Sequence, residues 1–221
     1  MFTVTKRKTT VSFLLQVTAW ATHRGCAFHW GQAVWRKIAD VGLQSAYAAD
    51  EGTHRLCRRL LALPYLPAEH IGDEFHRLQQ NATTDKLQQL MTYVADNWIM
   101  SATWPPETWC VYGQHVRTNN DVEGWHHRLN RKAQQSGLNM YLLCALLGHE
   151  ASMVTLNVKL MSDNKVRRTR RKNSVSTDAR LQRYWAEYQA GSRSVSRLLN
   201  ACARMFAPRL QVSKVVSKCD L

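Results

Sequence analysis

Two short clusters hold side chains whose types and spacing can do chemistry. In the run Asn119-Asn120-Asp121-Val122-Glu123-Gly124-Trp125-His126-His127-Arg128-Leu129-Asn130, Glu123, His127 and Asn130 recur at three- and four-residue intervals. On a helix that spacing puts a carboxylate, an imidazole and an amide on one face, able to point into a polar cleft. The same residues fit a second account. Asn120 as N-cap with Glu123 three residues on is a variant of the capping box, in which the acid starts the helix and complements its dipole; spacing alone does not choose between the two. The second cluster is Cys26-Ala27-Phe28-His29. A thiolate and an imidazole three apart can share a zinc ion, but a structural zinc site takes four protein ligands. Neither His54 with Cys57 nor Cys110 with His115 supplies the missing pair unless the fold brings them together. The other reading is a buried cysteine and a histidine at a helix entry.

The elements that must position these side chains read as mainly helical. Ala33, Val34, Ile38 and Val41 follow helical spacing over Trp30–Val41. Asp50 is placed to cap a helix running to Leu63, and the Pro64–Pro67 region ends it. Pro67 suits the first turn of another helix towards Gln80. A further helix starts near Thr84 with Leu87, Leu90, Met91, Val94 and Trp98 on one side. A strand or a strand-helix remnant is expected at 11–22, and a short strand at Trp109-Cys110-Val111-Tyr112. A capped helix follows over about 120–133, its stripe Val122, Trp125, Leu129 and Ala133. Gly137 closes it, and a long helix at 138–162 carries Leu138, Leu142, Ala145, Met153, Leu156 and Leu160 along one side. A basic linker at 164–174 leads to helices at 178–190 and 193–204.

Composition bounds the function. The chain has 221 residues, 45% hydrophobic, and a formal charge of +14. Residues 159–221 hold 15 of the 30 Lys+Arg but only 4 of the 16 Asp+Glu, a local balance of +11 against +3 for the remainder. The densest patch comprises Lys165, Arg167, Arg168, Arg170, Arg171 and Lys172. It can attract polyanions through phosphate neutralisation and counterion release, with little reading of sequence, and a run of this kind also serves nuclear import. A solvated basic tail is the plainer alternative. Six cysteines at 26, 57, 110, 144, 202 and 219 show no short regular pairing, which points to buried thiols in a reduced, intracellular chain. Lys6-Arg7-Lys8 before Val11–Val17 faintly imitates a signal peptide, but Gln16, Thr18 and Trp20 spoil the apolar segment. No uninterrupted apolar run is long enough to cross a bilayer, so no membrane partner is expected. Trp98, Trp104 and Trp109, near a double proline, are candidates for an exposed protein contact.

Taken in order, Gly25-Cys-x-x-His-x-Gly-Gln-Ala-x-Trp-Arg-Lys, Leu60-Leu-Ala-Leu-Pro-x-Leu-Pro-Ala-Glu69 and Tyr112-Gly-Gln-x-Val-Arg-Thr-Asn-Asn-Asp-Val-Glu-Gly-Trp-His resemble the Mutator-like (MULE) transposases, from about Gly25 to Cys202. The resemblance implies an RNase H-like (DDE transposase) domain using an Asp-Asp-Glu set with Mg²⁺ or Mn²⁺. It matches Glu123 to the catalytic Glu, Cys26 and His29 to the family's Cys/His motif, and Asn119, Asn120 and Trp125 to positions flanking the Glu. His127 and Asn130 follow on the same helix. The sequence departs from the pattern in one respect. Two upstream Asp are expected before the Cys/His motif, yet the first acid in the chain is Asp40. Phosphodiester cleavage by two metals needs several carboxylates, so this chain alone is expected neither to cut nor to join DNA.

The expected architecture is therefore mainly α: the helical C-terminal portion of an RNase H-like domain with at most one or two short strands. It divides into an unassigned segment at 1–24, a partial transposase domain with its helical insertion at 25–162, and a basic linker with C-terminal helices at 163–221. The expected partners are DNA, bound weakly and without sequence preference, and either a full-length transposase or a second copy. The expected location is the nucleus. A host nucleic-acid-binding or protein-interaction module derived from a transposable element is the alternative.

Overall fold

A computed structural model describes residues 25–114, 117, 120–134, 137–163 and 172–206. The expected strand or strand-helix remnant at 11–22 and the basic residues 165–171 lie outside them. The described residues form helices and turns with no strand among them. Two compact units are present, one comprising the residues up to Arg117 together with those from Arg180 onward, the other spanning Thr118–Ala179. The second unit extends past residue 162, and the residues from Arg180 onward group with the N-terminal helices.

In the first unit, α1 (Ala27–Asp40) buries Trp30, Val34 and Ile38, a four-residue repeat along one face. After α2 (Gln44–Ala49), Asp50 caps α3 (Glu51–Leu61) by accepting from the Thr53 amide at 2.6 Å. Every residue from Leu60 to Pro67 is buried, including a 3₁₀ turn at Leu63–Tyr65. Pro67 lacks an amide hydrogen and stands at the N-cap of α4 (Ala68–Gln80), which turns Ile71, Phe75 and Leu78 inward. Thr84 caps α5 (Asp85–Val94), and a π-helical turn at Ala95–Ile99 extends it.

The expected strand at Trp109–Tyr112 is instead a single helical turn, α6 (Pro106–Trp109), followed by extended backbone. The aromatic and β-branched composition of that stretch suggested a strand, but Pro106 in the first turn favours helix. The Val111 amide donates to the Pro64 carbonyl at 2.7 Å and the Cys110 thiol to the Leu66 carbonyl at 3.1 Å.

The chain then returns. The part of α9 (Lys172–Gln189) from Arg180 onward buries Leu181 and Trp185, and α10 (Val195–Phe206) buries Leu198, Leu199, Cys202 and Ala203 while packing on α3 and the 3₁₀ turn. Three contacts fasten this return. The Trp185 indole donates to the Tyr65 carbonyl at 2.9 Å, Arg58 Nε donates to the Ala203 carbonyl at 3.0 Å, and Phe206 stacks on Tyr65 with centroids 4.0 Å apart. Beneath them Glu74, 1% exposed, accepts from Arg59 at 3.2 Å and Arg77 at 2.5 Å. A carboxylate so buried requires such pairing.

The second unit holds α7 (Asn120–Ala133) and α8 (Met140–Ser162). Gly137, at φ +78, makes the left-handed turn between them, as the sequence suggested. Asn139 caps α8 by accepting from the Leu142 amide at 2.9 Å. The expected apolar stripe of α8 is present but not covered: Leu142, Met153 and Leu156 are 51%, 38% and 48% exposed. By length and composition alone α8 is apolar enough to cross a membrane, with a mean hydropathy of 1.2, a property the sequence reading did not anticipate.

Candidate functional site

Glu123 lies in the first turns of α7 and is exposed, as are His127 and Asn130. One and two further turns along the helix, these side chains share its solvent face. Trp125 is half-buried, with its ring edge-on to His126 at 4.9 Å. Asn119 lies outside the described residues. Asn120 begins the helix, but its side chain is not among those described, so the capping box is left as a sequence reading.

The acid that organises the second unit is one the sequence reading passed over. Glu150, on α8, is 3% exposed and accepts from Lys132 at 2.5 Å and from Arg128 at 3.3 Å, both on α7. The hydrogen bond from Lys132, supported by the charge of both cations, holds the Glu150 carboxyl below the usual glutamate range. A single carboxylate near the middle of an otherwise apolar helix was the available signal. α7 thus places Arg128 and Lys132 on Glu150, while Glu123, His127 and Asn130 are exposed.

Cys26 and His29 open α1 in the first unit. Cys26 occupies the N-cap in extended conformation, half-buried, and His29 is exposed, edge-on to Phe28. The segment is pinned from both sides. The Gly25 amide donates to the Thr108 carbonyl at 2.6 Å and the Ala27 amide to the Arg117 carbonyl at 3.1 Å. Gly25 is required by contact: a Cβ there would lie 2.6 Å from Trp109 Cβ and 2.9 Å from its Cα. Just below, Trp30 stacks on Trp109 at 4.4 Å, and Trp98 meets Trp30 edge-on at 5.1 Å.

That cluster corrects the expectation of exposed tryptophans. Trp109 is fully buried, and Trp98 and Trp104 pack half-buried against the core. Trp104 also accepts the Trp109 indole N–H on its carbonyl at 3.2 Å. Three indoles from α1, α5's extension and α6 converge because each gains more by excluding water together than by presenting a face to it.

The cysteines divide by position. Cys57 and Cys202 are buried, and burial pushes each thiol up to about 12. Cys26 and Cys110 are half-buried and Cys144 is exposed, so the expected burial holds for Cys57 and Cys202 among the described cysteines. All five are unbridged. His54 packs edge-on to Tyr47 at 4.6 Å, and His115 lies outside the described residues.

Among the described residues no group of three or more His, Cys, Asp or Glu side chains is arranged to hold a metal ion. A two-metal phosphodiester site draws on several carboxylates and a structural zinc site on four ligands. Of the basic patch, Lys165, Arg167, Arg168, Arg170 and Arg171 lie outside the described residues; Lys172 begins α9, with its side chain not among those described.

Compared with known proteins, the chain matches no protein-family model, no curated protein and no solved structure.

Proposed function

We propose that this chain is a catalytically incomplete protein derived from a Mutator-like transposase that holds DNA with little regard to sequence. The observation that carries the reading is the charge asymmetry, a balance of +11 over residues 159–221 in a chain of +14. Positive charge so concentrated binds phosphate chiefly by releasing counterions. The ordered motifs at 25–37, 60–69 and 112–126 support the transposase descent. Glu123, which that resemblance matches to a catalytic acid, is exposed on α7.

The test pairs binding with chemistry. The purified chain should bind unrelated DNA duplexes about equally, with affinity falling steeply as salt rises. With Mg²⁺ or Mn²⁺ it should leave supercoiled DNA intact. Nicking that disappears in Glu123→Gln would show that the site is active, and absence of binding at low salt would remove the DNA-holding role.

A second reading, self-association, is favoured by α8. Tyr141 is 88% exposed, Val158 58% and Val154 51%, a concentration of apolar surface beyond single scattered residues. Light scattering across a dilution series tests it. A monomer at every concentration, unchanged in Val154→Glu, would exclude a second copy as the cover for this face.

A further inference from the structure

The described residues of the first unit hold a second concentration of positive charge, in addition to the basic run at 165–172. Two shallow grooves flank α10. One, of about 390 Å³, lies between α10 and α3 and is lined by Arg55, Arg58, Arg59 and Arg204. The other, of about 420 Å³, lies between α10 and α9 and is lined by Arg180, Arg193, Arg197 and Arg204. Arg204 and Asn200 belong to both, so the grooves form one continuous face. Its lining contains seven arginines, no lysine and one carboxylate, Glu51.

The helix pattern explains why the charges gather there. Along α10, Arg197, Asn200, Ala201 and Arg204 repeat at i, i+3, i+4 and i+7, while Leu198, Leu199, Cys202 and Ala203 take the buried side. Arg55, Arg58 and Arg59 repeat the spacing on α3.

Some of these arginines serve the fold. Arg58 binds the Ala203 carbonyl, Arg59 binds Glu74, and Arg193 lies over the Tyr184 ring at 4.6 Å while pairing with Glu187. Arg197 and Arg204 do not: among the described residues neither meets a carboxylate within ion-pair distance, and both are exposed. A hydrogen bond from Arg180, with help from Arg183, draws the Tyr184 phenol below its ordinary value.

We infer that the arginine-lined face formed by α3, α10 and the C-terminal half of α9 is a docking surface for the phosphate backbone of DNA. Guanidinium forks match phosphate oxygens two at a time, a geometry that lysine cannot reproduce. Arg197 and Arg204 stand about 10 Å apart along the helix, the axial rise of about three phosphates of one strand. A membrane-binding face would carry apolar side chains beside its charges, and none of the exposed large hydrophobic residues among those described lines either groove. An interface with an acidic protein would centre on buried aromatic or aliphatic anchors; the tyrosine in the lining, Tyr184, already has its ring under the Arg193 guanidinium at 4.6 Å. The assignment rests on reading the chain as a DNA-holding protein and adds a surface to it.

The test uses fluorescence anisotropy with the full chain and a labelled duplex, titrated between about 50 and 200 mM salt. Arg197→Gln with Arg204→Gln should weaken binding to unrelated sequences alike and flatten the plot of log affinity against log salt by about 2. Circular dichroism confirms the fold, and Arg55→Gln with Arg180→Gln gives an independent pair if the first does not fold. A chain with Lys165, Arg167, Arg168 and Arg170 changed to Gln separates the two surfaces. If that chain loses binding while both groove pairs bind as wild type does, the groove assignment is overturned and DNA holding by the basic run stands. If the wild-type chain does not bind at all, both fall. Binding of polyglutamate or of phosphatidylserine vesicles as tight as that of DNA, and equally lost in the groove pairs, would overturn DNA as the occupant.

Discussion

The indole N–H of Trp185 donates to the Tyr65 carbonyl at 2.9 Å across 120 positions of sequence. Trp185 is 2% exposed, so the bond satisfies a donor and an acceptor that water does not reach. Trp185→Phe should cost about 1–3 kcal/mol by orphaning the carbonyl, and Trp185→Ala about 3–5 kcal/mol by adding a cavity. Urea unfolding followed by circular dichroism measures both. Equal stabilities for the two variants would mean that the site collapses around the smaller side chain.

Gly25 and Gly72 should respond oppositely to alanine. At Gly25 the new methyl meets Trp109 Cβ and backbone at 2.6 and 2.9 Å, an overpacking that typically costs about 1–3 kcal/mol. Gly72 sits within α4 with nothing inside 4 Å of the added carbon, so Gly72→Ala should gain about 0.5–1 kcal/mol through helix propensity. Thermal melts of the two variants should shift in opposite directions.

The clasp of Glu150 by Lys132 and Arg128 makes the second unit acid-sensitive. The folded state holds this carboxyl below its ordinary value of 4.5, so its contribution is full above that pH. It is lost as pH falls through the lower folded value. Hydrogen exchange of the α7 and α8 peptides at neutral pH should quicken in Glu150→Gln. Thermal melts taken from neutral to acid pH should show a smaller acid loss in that variant than in wild type. Unchanged exchange would show that the two helices stay together without the clasp.

Thiol labelling should order the cysteines. Cys144 is exposed and should react first, whereas Cys57 and Cys202 are buried with thiols raised to about 12 and should wait for unfolding. Peptide mapping after timed alkylation reads the order directly. Early labelling of Cys202 would mean that α10 detaches readily from α3.

Local signals were legible in the sequence, and non-local ones were not. Asp50, Pro67 and Thr84 mark helix starts through chemistry confined to a few residues, and each starts a helix in the structure. The helix at 120–133 likewise matches the one observed. Trp98 and Trp109 looked like exposed anchors because their shared partner, Trp30, lies far back in the sequence. The stripe on α8 was readable as periodicity, but periodicity does not say what covers it. Glu123 was conspicuous through its motif, while Glu150 drew no attention although two cations from α7 hold it. The arginine face escaped notice because α3 and α10 meet only in three dimensions: Arg58 reaches a carbonyl 145 positions away.

The first unit is interrupted, leaving at Arg117 and resuming at Arg180, and this sets an order of events during synthesis. The buried run Leu60–Pro67 is made long before α10, which packs against its 3₁₀ turn. At about 5–20 residues per second the delay is on the order of ten seconds. The second unit, contiguous in the chain, can assemble in that interval while the first stands open on the ribosome. A nascent chain of this layout offers chaperones a greasy, half-built surface for most of its translation, and a stop codon before α10 would make that exposure permanent.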